Sequence, residues 1–125
     1  MSLLPGLAAS VSLEVTDADT ALAMRSGSVP VLATPRLLAL CEEATMMATL
    51  GKLEEGCSTV NVGVRFEHIS PTPVGSTVTA EARLDKVEGR RLTFNVSARD
   101  ERGLVAAGRV TRVLVSTEQF MEKAR

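Results

Sequence analysis

The chain has 125 residues, 14 Lys and Arg against 15 Asp and Glu, one His, two Cys, three Phe and neither Trp nor Tyr. A chain of this length buries roughly two-thirds of its unfolded surface, enough for one core without disulfide or metal staples, so residues 1–125 are read as a single domain. A net charge of −1 offers no field for a polyphosphate, and neither a base-stacking platform nor an Arg-rich patch is expected, which argues against a nucleic-acid partner.

The opening segment MSLLPGLAAS has no basic leader, and Pro5-Gly6 interrupts it well short of the ~18 apolar residues of a membrane span. A cytoplasmic protein without membrane association is the expectation. Ser10–Thr16 then alternates Val11, Leu13 and Val15 with polar residues, a short strand. Asp17–Ala33 reads as a long connection with one helical turn near Ala21–Arg25, and connections of that length are often functional lids.

Thr34-Pro35 opens the main predicted helix, with Thr34 as N-cap, and Gly51 closes it. Leu37, Cys41, Ala44 and Ala48 share one face of Arg36–Leu50, with Leu38 and Thr45 beside them. Glu42 falls on the shoulder of that face and Glu43 toward solvent. Neither Cys41 nor Cys57 has the spacing of a zinc site or a disulfide framework, so both are expected as free thiols and no metal or cofactor is called for.

From Ser58 the chain alternates as strands: Ser58–Ile69, Thr77–Val87, Arg91–Asp100 and Leu104–Ser116, followed by a short helix over Thr117–Arg125. One long helix and a four-stranded antiparallel meander, with a fifth strand ahead, make an α+β plan in which the sheet wraps the helix. In the first of these strands Val60, Val62, Val64 and Phe66 are read as the apolar face, with His68 next on it and aimed at the helix. That imidazole is either a satisfied histidine at the core rim or a proton shuttle in a cleft, and Glu42 is the acid best placed to meet it. Thr34 likewise serves either as a cap or beside a helix N-terminus able to stabilise an oxyanion. Thr34 and Glu42 are eight residues apart, about 12 Å along a helix, so one site using both needs a spanning substrate, an irregular first turn or a second subunit. Arg112 shares parity with Val110 and Leu114, which suggests either a bulge at Gly108 that re-aims it or an edge-strand charge.

The run His68-Ile69-Ser70-Pro71-Thr72-Pro73-Val74-Gly75, then Val87-Glu88-Gly89-Arg90-Arg91-Leu92 and Phe94-Asn95-Val96-Ser97-Ala98, resembles hotdog-fold thioesterases of the fluoroacetyl-CoA thioesterase type. The spacing of Thr34, Glu42 and His68 fits the same resemblance, which spans roughly Val29–Phe120. It implies a hotdog fold, five antiparallel strands around one long helix. It also implies hydrolysis of an acyl-CoA at the interface of a homodimer, or a dimer of dimers, with catalytic roles on Thr34, Glu42 and His68. Arg112 matches a family arginine and is carried as substrate-binding together with Asn61 and Gly63. Asn61 stands near the place of a family glycine, with Gly63 two residues later, so backbone contacts to the carbonyl are expected to differ. Arg25 and Ser28 stand where the fluoroacetyl-specific enzyme has bulky phenylalanines, so its selectivity is not carried over. Two other readings are a non-catalytic acyl-CoA sensor and an enoyl-CoA hydratase, the latter usually needing an Asp/His spacing not seen around His68.

Overall fold

A computed structural model describes residues 3–125, so the first two residues of the opening segment lie outside the described residues. Its elements in chain order are β1 (Ala8–Glu14), a 3-10 turn (Asp17–Asp19), α1 (Ala21–Met24), α2 (Thr34–Ala48), β2 (Cys57–His68), β3 (Thr77–Glu88), β4 (Arg91–Asp100), β5 (Gly103–Ser116) and α3 (Thr117–Lys123). The five strands form one antiparallel sheet in the order β1-β3-β4-β5-β2. Only β3, β4 and β5 form the expected meander. The eight residues between β2 and β3 are too long for a tight hairpin, so β2 crosses to pair with β5 and leaves β1 to cover the side of β3.

The inner face of the sheet closes on α2. Leu37, Leu40, Cys41, Ala44 and Ala48 of the helix pack with Val78, Ala80, Ala82, Leu84, Leu92, Phe94, Val96, Ala98 and Val110. The many alanines in this layer let the helix lie close to the sheet, so Phe94 alone supplies a large buried ring. Burial, with the charge of Glu42 beside it, pushes the Cys41 thiol up to about 11, which makes it inert, and both cysteines are free.

The strand carrying His68 does not keep the single parity expected of it. Asn61 pairs with Arg112 and Gly63 with Thr111, so Val62 is an extra residue, a β-bulge. Before the bulge the odd residues Thr59 and Asn61 face the helix; after it the even residues Val64, Phe66 and His68 do. Val60 and Val62 therefore leave the inner face and line the outer side of the sheet with Val113, Val115 and Phe120. Gly108 marks no bulge: it stays in register opposite Phe66, and β5 lies inside the sheet rather than at its border. A Cβ at Gly108 would stand 2.1 Å from the carbonyl oxygen of Arg65, so the glycine is there to let β2 and β5 approach. Gly108→Ala is expected to lower stability by about 3 kcal/mol, the upper range for overpacking, because the obstruction is backbone and cannot swing away; urea denaturation measures it.

Candidate active site

Helix α2 begins one residue earlier than the sequence suggests. Ala33, in extended conformation, is the N-cap and offers no side-chain acceptor, Thr34 is the first helical residue and Pro35 follows it. The Thr34 hydroxyl is thereby released from capping and meets Nδ1 of His68 at 2.8 Å. Uncapped first-turn N–H groups beside it give this corner a positive dipole end. Gly51, at φ +77°, lies two residues past the C-cap Thr49, in the turn that follows the helix.

His68 ends β2, and the chain after it is tied down on three sides. The backbone N–H groups of Ile69 and Ser70 donate to the Val105 carbonyl at 2.7 and 3.3 Å. The Thr72 hydroxyl donates to Asp100 at 2.9 Å, and the N–H of Leu32 donates to the Thr72 carbonyl at 2.9 Å. Burial alone would raise the Asp100 carboxyl, but the bonds from Arg102 and Thr72 outweigh it and hold the group below its ordinary value. Burial also lowers the His68 imidazole, with a polar contact to the Ser70 backbone opposing, which favours the neutral ring. Its Nε2 is buried and has no hydrogen-bond partner among the described residues. A cleft of about 340 Å³ adjoins this corner, lined by Ser26, Gly27, Val29, Val31, Thr34 and His68 among others. The connection before α2 forms one wall, and the ion pair between Asp19 and Arg36, 3.1 Å, fastens it to the helix. Arg25 caps α1 in the left-handed conformation, φ 60°, and no aromatic ring lies in the wall.

Glu42 belongs to a second group, two helical turns away. It is half-buried, and its carboxylate accepts from Nδ2 of Asn61 at 2.5 Å. The Asn61 amide is oriented from both ends, because its Oδ1 accepts from the N–H of Gly63 at 3.0 Å across the bulge. Behind them Arg112 is 8% exposed and turned inward. Its guanidinium donates through Nε to the Thr59 hydroxyl at 2.8 Å, through one Nη to the Thr59 carbonyl at 2.8 Å, and through the other to the Thr45 hydroxyl at 3.4 Å. Burial lowers its pKa and the nearby charge of Glu42 opposes that shift, which places a buried cation in the field of the carboxylate.

Within one protomer, then, Thr34 meets His68, and Glu42 meets Asn61, itself held by Gly63, near Arg112, the two groups separated by about 12 Å of helix. No contact joins Glu42 to His68 among the described residues. Thr45 and Thr59, which hold Arg112, escaped the sequence reading because a threonine on an apolar helix face or in a strand looks like filler. No cluster of His, Cys, Asp or Glu among the described residues could hold a metal, and no helix is long and apolar enough to cross a membrane. Arg112→Lys keeps the charge but cannot reach three oxygens from one planar fork, so it is expected to cost about 2 kcal/mol in urea denaturation.

Residues 15–118 match the family described as fluoroacetyl-CoA-specific thioesterase. The fluoroacetyl-CoA thioesterase of Streptantibioticus cattleyicolor is 37% identical over 95 residues, 76% of this chain and 68% of that protein. The solved structure of the fluoroacetyl-CoA thioesterase FlK superposes with a TM-score of 0.93 at 29% identity, covering 100% of this chain and 97% of that one. A single-residue variant of the same thioesterase, in complex with fluoroacetate and CoA, gives a TM-score of 0.88 at 29% identity over 94% of this chain and 99% of that one. With the sheet order and enclosed helix these matches establish a hotdog fold and a thioester hydrolase, and the chain belongs to the fluoroacetyl-CoA-specific thioesterase family.

Proposed function

We propose that this protein hydrolyses a small acyl-CoA thioester to a carboxylate and free CoA, with Thr34, Glu42 and His68 as its catalytic residues. The observation that carries the reading is the 2.8 Å contact between Thr34 and His68 at an uncapped helix N-terminus, beside a cleft of about 340 Å³. In this mechanism the thioester carbonyl lies against the start of α2, where the Thr34 hydroxyl and first-turn N–H groups stabilise the negative charge that develops on its oxygen. Glu42 either takes one proton of the water that attacks the carbonyl carbon or attacks that carbon itself, forming a mixed anhydride that water then cleaves, and neutral His68 takes the other proton of that water and delivers it to the CoA sulfur freed when the C–S bond breaks. Asn61 orients the Glu42 carboxylate, and Arg112 holds that end of β2 in place under it. Lacking aromatic side chains over the cleft, the site is not read as selective for fluoroacetyl.

A single protomer separates Glu42 from His68, so the reading includes a homodimer that completes the site. β2 forms one border of the sheet, with Val62 54% and Val64 41% exposed, and pairing along that border both satisfies its backbone and covers these side chains. In this reading each site takes Thr34 and His68 from one protomer and Glu42 from the other.

Thiol release from a panel of short-chain and aromatic acyl-CoAs tests the activity. Turnover is expected, reduced roughly 10²- to 10⁴-fold in His68→Ala and in Glu42→Gln. The native enzyme should lose activity on the acid side with a midpoint below the ordinary imidazole value of 6.5, since the working form is the neutral ring. Binding without release favours the sensor instead, and activity independent of pH across that range counts against His68 as the proton carrier. Co-refolding equal amounts of the two inactive variants tests the shared site: a site built across protomers regenerates one intact centre per mixed dimer, about a quarter of native activity. No recovery places Glu42 and His68 in the same protomer's site.

A further inference from the structure

The two partners of the Thr34–His68 contact arrive on separate segments of the chain, and one buried residue joins those segments. Along the strap 69–75 that follows β2, Thr72 alone is buried, at 0% exposure. Its carbonyl accepts from the N–H of Leu32 at 2.9 Å, two residues before Thr34, and the next residue, Pro73, pairs antiparallel with Val31. The lead-in to α2 therefore lies alongside the strap. Ser70 and Pro71 line both the cleft beside His68 and a second cavity of about 210 Å³ shared with Asp100 and Arg102, so this part of the strap is flanked by open space rather than by a packed layer. Asp100, the last residue of β4, fixes the anchor. Its side chain is 1% exposed; one carboxylate oxygen accepts from the Thr72 hydroxyl at 2.9 Å and the other from the N–H of Arg102 at 2.9 Å. The Arg102 guanidinium also donates to the Pro71 carbonyl at 2.7 Å, but that side chain is 60% exposed and contributes little by itself.

We propose that Thr72 and Asp100 are positioning residues for thioester hydrolysis, which together fix the distance between Thr34 and His68 without touching the substrate; the proposal rests on the catalytic reading of that pair above. Packing alone calls only for an apolar side chain of the size of threonine, such as valine. A hydroxyl held by a buried carboxylate is the costlier choice, and what it adds is direction. Thr72 reaches one partner through a single hydrogen bond to Leu32 and the other through four residues of backbone, so a strap that slips carries both away from each other. A misplacement of about 1 Å between reacting groups costs on the order of 10²-fold in rate.

The test compares the native enzyme with Thr72→Val, which keeps the volume and removes the hydroxyl, with Thr72→Ser, which keeps the hydroxyl, with Asp100→Asn, and with the double variant Thr72→Val, Asp100→Asn. On the best acyl-CoA of the panel, Thr72→Val is expected to lower kcat about 10- to 100-fold with KM within about threefold, and Thr72→Ser to retain most of the native rate. Asp100→Asn should lower kcat in the same way, and the double variant should be no slower than the slower single one, since both remove one brace. Because His68 is the sole imidazole of the chain, ring-nitrogen NMR of histidine-labelled protein reads its contact directly. The Nδ1 resonance of Thr72→Val should move toward that of Thr34→Val, while Thr72→Ser keeps the native position. A folded Thr72→Val with native kcat or native ring resonances, a loss confined to KM, a Thr72→Ser as slow as Thr72→Val, or additive losses in the double variant overturn the proposal. If Thr72→Val does not fold, Asp100→Asn is read by the same two measurements. If the native protein hydrolyses no thioester, the catalytic reading fails by itself, and the ring resonances still decide whether Thr72 and Asp100 hold Thr34 against His68.

Discussion

The site depends on one extra residue. Because side chains alternate along a strand, Asn61 and His68, seven positions apart, would face opposite sides of a regular β2. The bulge at Val62 reverses the parity between them and turns both toward α2. The amide of Asn61 then spans the bulge, accepting from Gly63 and donating to Glu42, so the irregularity that re-aims the strand also orients the helical carboxylate. Removing Val62 from the count would leave either the imidazole or the amide on the outer face.

The opposite wall is built by a capping arrangement that leaves a hydroxyl free. Had Thr34 been the N-cap, its oxygen would have turned back onto the first turn of its own helix. Ala33 takes that position, and the threonine advances one residue, where it faces His68. Both pairs rest on polar groups buried behind them: Asp100 and Thr72 under the segment after His68, and Arg112 with Thr45 and Thr59 under Glu42 and Asn61.

Much of the fold is legible in residue pattern. The extents of β3 to β5, the buried stripe of α2 and the half-buried position of Glu42 follow from periodicity, because each reflects repeated burial along one element. The resemblance carried by the His68–Gly75 run supplied the fold name, and the shared family and superposition agree with it. Strand order was not legible, since pairing β2 with β5 rather than β3 is decided by a connection too long to be a hairpin.

By itself, then, the sequence determined the elements, the sole imidazole, and the threonine and glutamate spaced eight apart on one helix. Only the tertiary structure decided which of these meet. The bulge is invisible in the run Val60-Asn61-Val62-Gly63-Val64, because the unbroken alternation of Val60, Val62 and Val64 mimics the apolar face of a regular strand. The inward turn of Arg112 requires two threonines distant in the chain, and the grouping of Arg65, Arg91 and Arg109 on the outer face, which the sequence did not lead one to expect, requires three strands laid side by side. Periodicity reports the average side on which a segment is buried, whereas a bulge, a cap shift and a cross-strand register are single-residue events settled by backbone hydrogen bonding between distant segments.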